Sequence, residues 1–538
     1  MHTRGRLKAG KAWHCFLVAI ESLPADVDAL QALVLTRTAE RDAAIAELAH
    51  LKFYVDRLQN TQFGKSSEKR DANQVPLPLE NMAQPVAAQA PDSGDERGQS
   101  TAAKQRKANR GNLPDHLPQV HETLYPDDTN CPCCRAAMHV IGEDQSKRLD
   151  VIPAQFRVLV THRPKYACRA CEGAIVQAPA PERLIKAGLP TEALVAFIIV
   201  SKYAWHLPLY RQAQMLALQG IKLDRSTLAF WVAYAAGELA PVYERLKAHL
   251  KASLKINVDE TTAPVLDPGR GRTKTGYFWA IARDDRPWGG PEPPGVVFTY
   301  APGRGAVHAY NVLKGYSGIV QCDGYPAYKT LVAPARAKLP KLDITLAFCW
   351  THWRRYFTDI ERSGPAPIAA EAIRRIGQLY GLEKIIRGKS AEERRVFRQE
   401  RSRPIVEALK AWLQSELAKV SESSTIADAL RYGLSHWQGL TRFLEDGRIE
   451  LDTNAVERAI RPIALGRKNH LFSGHDCGAQ NWASIASLIE TAKLQEINPQ
   501  DYLTDVLTKL VNGWPMSDID SLLPWAWVAT GAEARMAA

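Results

Sequence analysis

The sequence predicts a multidomain α/β protein. A mixed sheet with a helical insertion forms its main domain, preceded by a coiled-coil helix, a paired-cysteine module and a helix-turn-helix. Three observations carry that prediction: strand-forming runs crowd residues 255–348, apolar residues repeat in heptads near the N-terminus, and four cysteines stand in two tight pairs. A chain of 538 residues has the length for several domains. Its 46% hydrophobic and 24% charged residues fit an ordinary globular protein rather than a disordered one. No apolar run approaches the ~20 residues that span a bilayer, so no membrane role is expected. The net charge of +11 favours polyanionic partners. Nine cysteines, an odd number and mostly scattered, argue against a secreted disulfide framework and for a cytoplasmic protein.

Taken in order, residues 1–22 have basic residues before a short apolar patch but no small-residue cleavage site, which suggests a disordered leader rather than a signal peptide. Residues 23–63 follow a heptad. Nine of the twelve seam positions from Leu23 to Gln62 are apolar, spaced alternately four and three, as a self-associating leucine-zipper-like helix requires. Arg37 and Arg41 interrupt that seam. Residues 64–118 are rich in Pro, Ala, Gln, Ser and charge, too poor in apolar residues for a core, and are expected to be a disordered linker.

In the 119–182 module, Cys131 and Cys134 make one C-x2-C knuckle and Cys168 and Cys171 another. Four thiolates at that spacing point to a closed, structural tetrahedral zinc site. Cys133 lies inside the first knuckle, so which two of "CPCC" bind is open. Residues 183–250 look helical. One helix ends at Gly220, and a second, capped by Asp224 or Ser226, restarts after a short turn. This is the outline of a helix-turn-helix, with Arg225, Ser226 and Thr227 where a recognition helix begins. Plain helix bundles use the same outline.

From residue 251 to 490 the pattern becomes strand, strand, strand, helix, strand, strand, with a charged helical insertion at about 361–445. That is the strand order of a ribonuclease H-like sheet. "KINVDETTAPV" ends its first strand in Asp259, and "SGIVQCDGY" ends its fourth in Asp323, so the fold sets the two side by side. A helix capped by Asp452 or Thr453 carries Glu457, the natural third carboxylate. Three hard oxygen donors suit magnesium or manganese, the ions that serve phosphodiester chemistry. Arg458, Arg461, Arg467 and Lys468 on the same helix are placed to hold phosphates. Side-chain alternation sends Glu260 away from Asp259. Taken singly, each acid would more often be a surface or capping residue.

The chain resembles the transposases of the insertion sequence 66 family, members of the DDE superfamily. "FGKSSEK", the cysteine knuckles, "VDET", "QCDGY", "CWTHWRRYF", "DTNAVERAIRPIALGRKNHLFSG" and the tail "INPQDYLTDVLTKLVNGWPMSDIDSLLPWAW" within 491–538 carry the likeness, from about Leu23 to Trp527. The resemblance implies that Asp259, Asp323 and Glu457 are catalytic magnesium (or manganese) ligands. Cys349 and His352 resemble a C-x2-H element seen in several DDE transposases, in a supporting role. It further implies binding to terminal inverted repeats and target DNA, a multimeric complex, small accessory proteins and a nucleoid-associated location. The alternatives are a zinc-containing DNA-binding regulator with an inactive ribonuclease H-like domain, and a structure-specific nuclease.

Overall fold

The computed structural model describes residues 155–527, apart from 168–174, 187, 268, 334–338 and 471, together with a few isolated earlier positions. The leader, the linker and (except for Asp26) the heptad segment lie outside the described residues. So do Cys131, Cys134, Cys168 and Cys171. Strands β1 (Lys165–Ala167) and β2 (Ile175–Gln177) pair antiparallel, with Ala167 opposite Ile175. In the chain, Cys168 and Cys171 fall between them.

Four helices follow. Helix α1 (Glu192–Tyr203) starts at Thr191, whose hydroxyl accepts the Leu194 N–H, and it buries Val195, Ile198 and Ile199. Helix α2 (Leu209–Leu218) follows Pro208 and stops at Gly220, whose φ of 80° is the left-handed conformation that ends helices. Helix α3 (Arg225–Glu238) begins after Asp224, which has the extended backbone of an N-cap but makes no side-chain cap bond. Helix α4 (Ala240–Lys251) leads into the sheet.

The sheet comprises β3 (Lys255–Asp267), β4 (Arg272–Arg283), β5 (Gly295–Ala301), β6 (Gly318–Cys322) and β7 (Ile344–Phe348), in the spatial order β5-β4-β3-β6-β7. The β3–β4 and β4–β5 pairs are antiparallel hairpins, whereas β6 and β7 run parallel to β3. Helix α5 (Ala306–Leu313) carries the chain from β5 across to β6, and α6 (Pro326–Val332) connects β6 to β7, because parallel neighbours need a crossover. Ile256, Val258, Val320 and Ala347 bury the centre of the sheet, and Lys255 and Asn257 are buried with them.

After β7 come α7 (Trp350–Ser363), α8 (Pro367–Ile385), α9 (Ala391–Phe397), α10 (Arg403–Leu417), α11 (Thr425–Ser435) and α12 (Trp437–Thr441). A π-helical turn at Arg398–Ser402 joins α9 to α10. Trp350 and Trp353 are fully buried and tie α7 to this group, donating their ring N–H groups to the Leu440 carbonyl at 2.8 Å and the Ala429 carbonyl at 2.9 Å. Arg394 and Arg398, both buried, share the Glu383 carboxylate at 3.1 and 2.6 Å.

Helix α13 (Asn454–His470) then returns to the sheet, followed by α14 (Asp476–Leu494) and α15 (Pro499–Val511). Helix α14 seals the edge strand β5. The Val296 N–H donates to the Thr491 hydroxyl at 3.1 Å and the Phe298 N–H to the Ser487 hydroxyl at 2.8 Å, while Thr491 donates back to the Val296 carbonyl at 2.9 Å. No helix among the described residues is long and apolar enough to cross a membrane.

Candidate active site

Register brings the first two acids together. Asn257 on β3 lies opposite Gln321 on β6, the two strands run parallel, and two residues further along them are Asp259 and Asp323. After Asp323 the chain turns sharply at Gly324, where φ is 83°. A Cβ at that position would come within 2.8 Å of the Tyr432 hydroxyl, so only glycine fits. The Tyr432 hydroxyl donates to the Asp323 carbonyl at 2.6 Å, which fixes the turn against α11. The Asp323 carboxylate itself accepts the Tyr325 N–H at 2.9 Å.

Glu457 is delivered by bonds at both ends of α13. Before the helix, the Gln321 amide donates to the Glu450 carbonyl at 2.6 Å and the Asp452 carbonyl at 3.1 Å, and the Trp350 N–H donates to the Leu451 carbonyl at 2.8 Å. The Asp452 carboxylate accepts the Asn454 N–H at 3.1 Å, and the Thr453 hydroxyl donates to Glu457 Oε1 at 3.0 Å. At the far end, Arg467 donates to the Thr262 carbonyl at 2.7 Å, and Ser473 pairs with β3 beside Val265.

Asp323 and Glu457 both lie close enough to Asp259 to act on it. Burial, then the charges of Glu260, Asp323 and Glu457, push the Asp259 carboxyl up to about 8, and only the Glu260 N–H opposes them. The Glu260 side chain is fully buried. Its carboxylate accepts from the Tyr328 hydroxyl at 2.7 Å and from Arg304 Nε at 2.5 Å. Arg304 also approaches Asp323 Oδ2 at 3.8 Å and stacks on the Tyr325 ring, 3.9 Å from its centre. Burial nevertheless holds the Glu260 carboxyl above the usual range.

Cys349 and His352 join the same cluster. The Cys349 sulfur, a ring nitrogen of His352 and a carboxylate oxygen of Glu457 lie within 4.8 Å of one another. Burial pushes the Cys349 thiol up to about 12, with the Asp452 and Glu457 charges acting the same way, so it is no nucleophile at neutral pH. Burial lowers the His352 imidazole, against the pull of the nearby Glu457 and Asp323 carboxylates.

The basic residues fall into distinct settings. Arg461 and Lys468 are exposed on α13. Arg467 is committed to Thr262, and Arg458 is half-buried beside Asp284 and Asp452. At the start of α3, Arg225 and Ser226 are exposed and face Asn469 and Phe472 across a groove of about 470 Å³, while Thr227 is half-buried. That groove places the start of α3 next to the end of α13. Arg304, Tyr328 and Gln321 are not foreseen from the sequence. Only an arginine flanked by glycines, "PGRGA", marks the first.

Residues 187–481 match the model described as Transposase IS66 family, and residues 128–172 match the zinc-finger binding domain of transposase IS66. Residues 487–525 match the IS66 C-terminal element, and residues 50–121 match a model described as Transposase C of IS166 homeodomain. An uncharacterized Sinorhizobium fredii protein, y4jD, is 44% identical over 511 residues, covering 95% of this chain and 98% of its own length. A second from the same organism, y4qI, is 41% identical over 537 residues, covering 95% and 98% respectively.

Proposed function

The chain belongs to the IS66 transposase family, and from that membership we propose that it is a DNA transposase that binds the inverted-repeat ends of its element, cleaves them and joins them to target DNA. The observation that carries the proposal is the convergence of Asp259, Asp323 and Glu457 from β3, β6 and α13. The order β5-β4-β3-β6-β7, antiparallel then parallel, supports reading the domain as ribonuclease H-like.

The residues fit divalent cations. Asp259 is buried beside three other carboxylates, a like-charge crowd of hard oxygen donors that a cation relieves. Magnesium or manganese, held by Asp259, Asp323 and Glu457, would activate the attacking hydroxyl and offset charge on the leaving oxygen. In the first step water attacks a phosphodiester at the element end, breaking one P–O bond and freeing a 3′-hydroxyl. In the second, that hydroxyl attacks a target phosphodiester, so one P–O bond forms as another breaks.

The protein's own groups set the geometry. Arg304 steadies Asp323 from the Glu260 side, and Thr453 orients Glu457. Arg461 and Lys468 face solvent, where they can hold backbone phosphates. Arg225, Ser226 and Thr227 would enter the terminal repeat, and Arg458 and Arg467 would support that surface from behind. A structural zinc at Cys131, Cys134, Cys168 and Cys171, self-association through residues 23–63, small accessory proteins and a nucleoid-associated cytoplasmic location complete the proposal.

A strand-transfer assay with the element's own end DNA and magnesium tests it. Joined products should form with the wild type and not with Asp259→Asn. Equal joining by both would remove Asp259 from the chemistry, and binding of end DNA without cleavage by the wild type would favour a regulator with an inactive domain.

A further inference from the structure

We infer that Cys349, His352 and Glu457 form a second cation site, distinct in chemistry from the acidic trio and suited to a thiophilic divalent ion of the zinc class. Three donors of different softness converge there: a thiol sulfur, an imidazole nitrogen and a carboxylate oxygen, all within 4.8 Å of one another. The donor set separates the two sites. Magnesium favours an octahedron of oxygens, whereas sulfur and imidazole select zinc and its neighbours.

The site is built rather than accidental. Cys349 stands at the N-cap position of α7 and His352 follows in its first turn, so both face the same way. Thr453, itself buried, holds two of the three donors: its backbone N–H points at the Cys349 sulfur at 3.4 Å, and its hydroxyl donates to Glu457 Oε1 at 3.0 Å. The backbone N–H of His352 also faces that sulfur. Such outer bonds orient ligands in metal sites.

One donor is left over. Nδ1 of His352 is shielded from solvent and has no hydrogen-bond partner, although it points toward Glu457 Oε1 at 3.7 Å. That is too long for a hydrogen bond, but close to the ~3.4 Å between two ligands of a tetrahedral zinc ion. A buried polar atom with nothing to bind is expensive, and an ion between the two resolves it. The Cys349 side is closed, while the His352 and Glu457 side chains are 20% and 27% exposed, so the ion enters past His352 and Glu457. Binding displaces the thiol proton to solvent as the S–metal bond forms. Because Glu457 belongs to both sets, a zinc-class ion here takes a carboxylate from the trio. That consequence, unlike the binding, rests on the catalytic reading of Glu457.

Cobalt(II) is the probe, since its thiolate complexes absorb strongly in the near ultraviolet. The full chain is stripped of metal under reducing conditions and titrated with cobalt, as wild type, Cys349→Ser and His352→Gln. The knuckle cysteines are intact in all three. The wild type should bind one more equivalent than Cys349→Ser, with a greater thiolate–cobalt absorbance. His352→Gln should weaken that equivalent by at least about tenfold. Should Cys349→Ser fail to fold by circular dichroism, His352→Gln and Thr453→Val carry the test. Equal stoichiometry and absorbance in the wild type and folded variants would overturn the site. The readout is metal absorbance, so the result stands whether or not the chain joins DNA.

Discussion

Arg304 closes an ion pair on Glu260 at 2.5 Å, on a carboxylate that is completely buried one residue away from Asp259. Arg304→Met keeps the stem but removes the charge, leaving Glu260 with Tyr328 alone. Because Arg304 is itself 40% exposed, the cost should be about 1–3 kcal/mol, read by urea denaturation. Adding Glu260→Gln should recover part of it, because no unpaired buried charge then remains. Strictly additive losses would refute the pairing.

Asp259→Asn should separate activity from stability. On the proposed role of Asp259 as a metal ligand, its loss should cost several kcal/mol of transition-state stabilisation, about 10³-fold or more in joining. The same change removes a carboxyl that folding forces to stay protonated beside three other carboxylates, so the metal-free variant should unfold at a higher temperature than the wild type at neutral pH. A variant both inactive and less stable would point to a packing role.

Stability of the metal-free protein should fall as pH rises. The folded-state value of Asp259 is raised from 3.8 to about 8, so between those values the folded chain binds more protons than the unfolded one. Its contribution is present at pH 4 and lost by pH 8. Asp452, held up to about 6 by burial, acts in the same sense. The diagnostic quantity is therefore the difference between wild type and Asp259→Asn in denaturation midpoints at pH 5.5 and 8.5. Saturating magnesium should reverse that difference by stabilising the wild type, and a pH-independent difference without metal would contradict the buried, crowded state of Asp259.

The basic residues of α13 should divide into two classes. Arg461→Ala and Lys468→Ala should leave stability unchanged, weaken DNA binding across sequences and lower the salt slope by about one each. Arg467→Ala should instead lower stability by about 1–2 kcal/mol, because its guanidinium is bonded to Thr262. Filter binding over a salt series, with thermal melts, distinguishes them.

The strands that carry the acids were the most legible part of the site, but only Asp323 follows a strand end: Asp259 lies inside β3, which runs on to Asp267 paired with β4 instead of ending at the acid. Runs such as "KINV" and "GIVQC" carry the β-branched residues that favour strands, so the acids that follow stand out, and their register follows from two parallel neighbours. What could not be read was contact across long separations. Arg304 meets Glu260 from 44 residues away, and Thr453 meets Cys349 from 104. Nothing local in either pair records the other. Arg467 looks like Arg461 in sequence, and only the return of α13 to β3 shows that one is a pin and the other free to meet a ligand. The cysteine knuckles and the heptads lie outside the described residues.

The hydroxyls of Ser487 and Thr491 give the sheet a finished border. They stand nearly two hundred residues beyond the strand they close, so during synthesis β5 emerges long before its cover does. Until α14 arrives, the nascent chain carries an open, apolar strand that any neighbouring copy could extend. A chain cut short before residue 487 would keep Asp259, Asp323 and Glu457 but leave β5 without the two hydroxyls that close it.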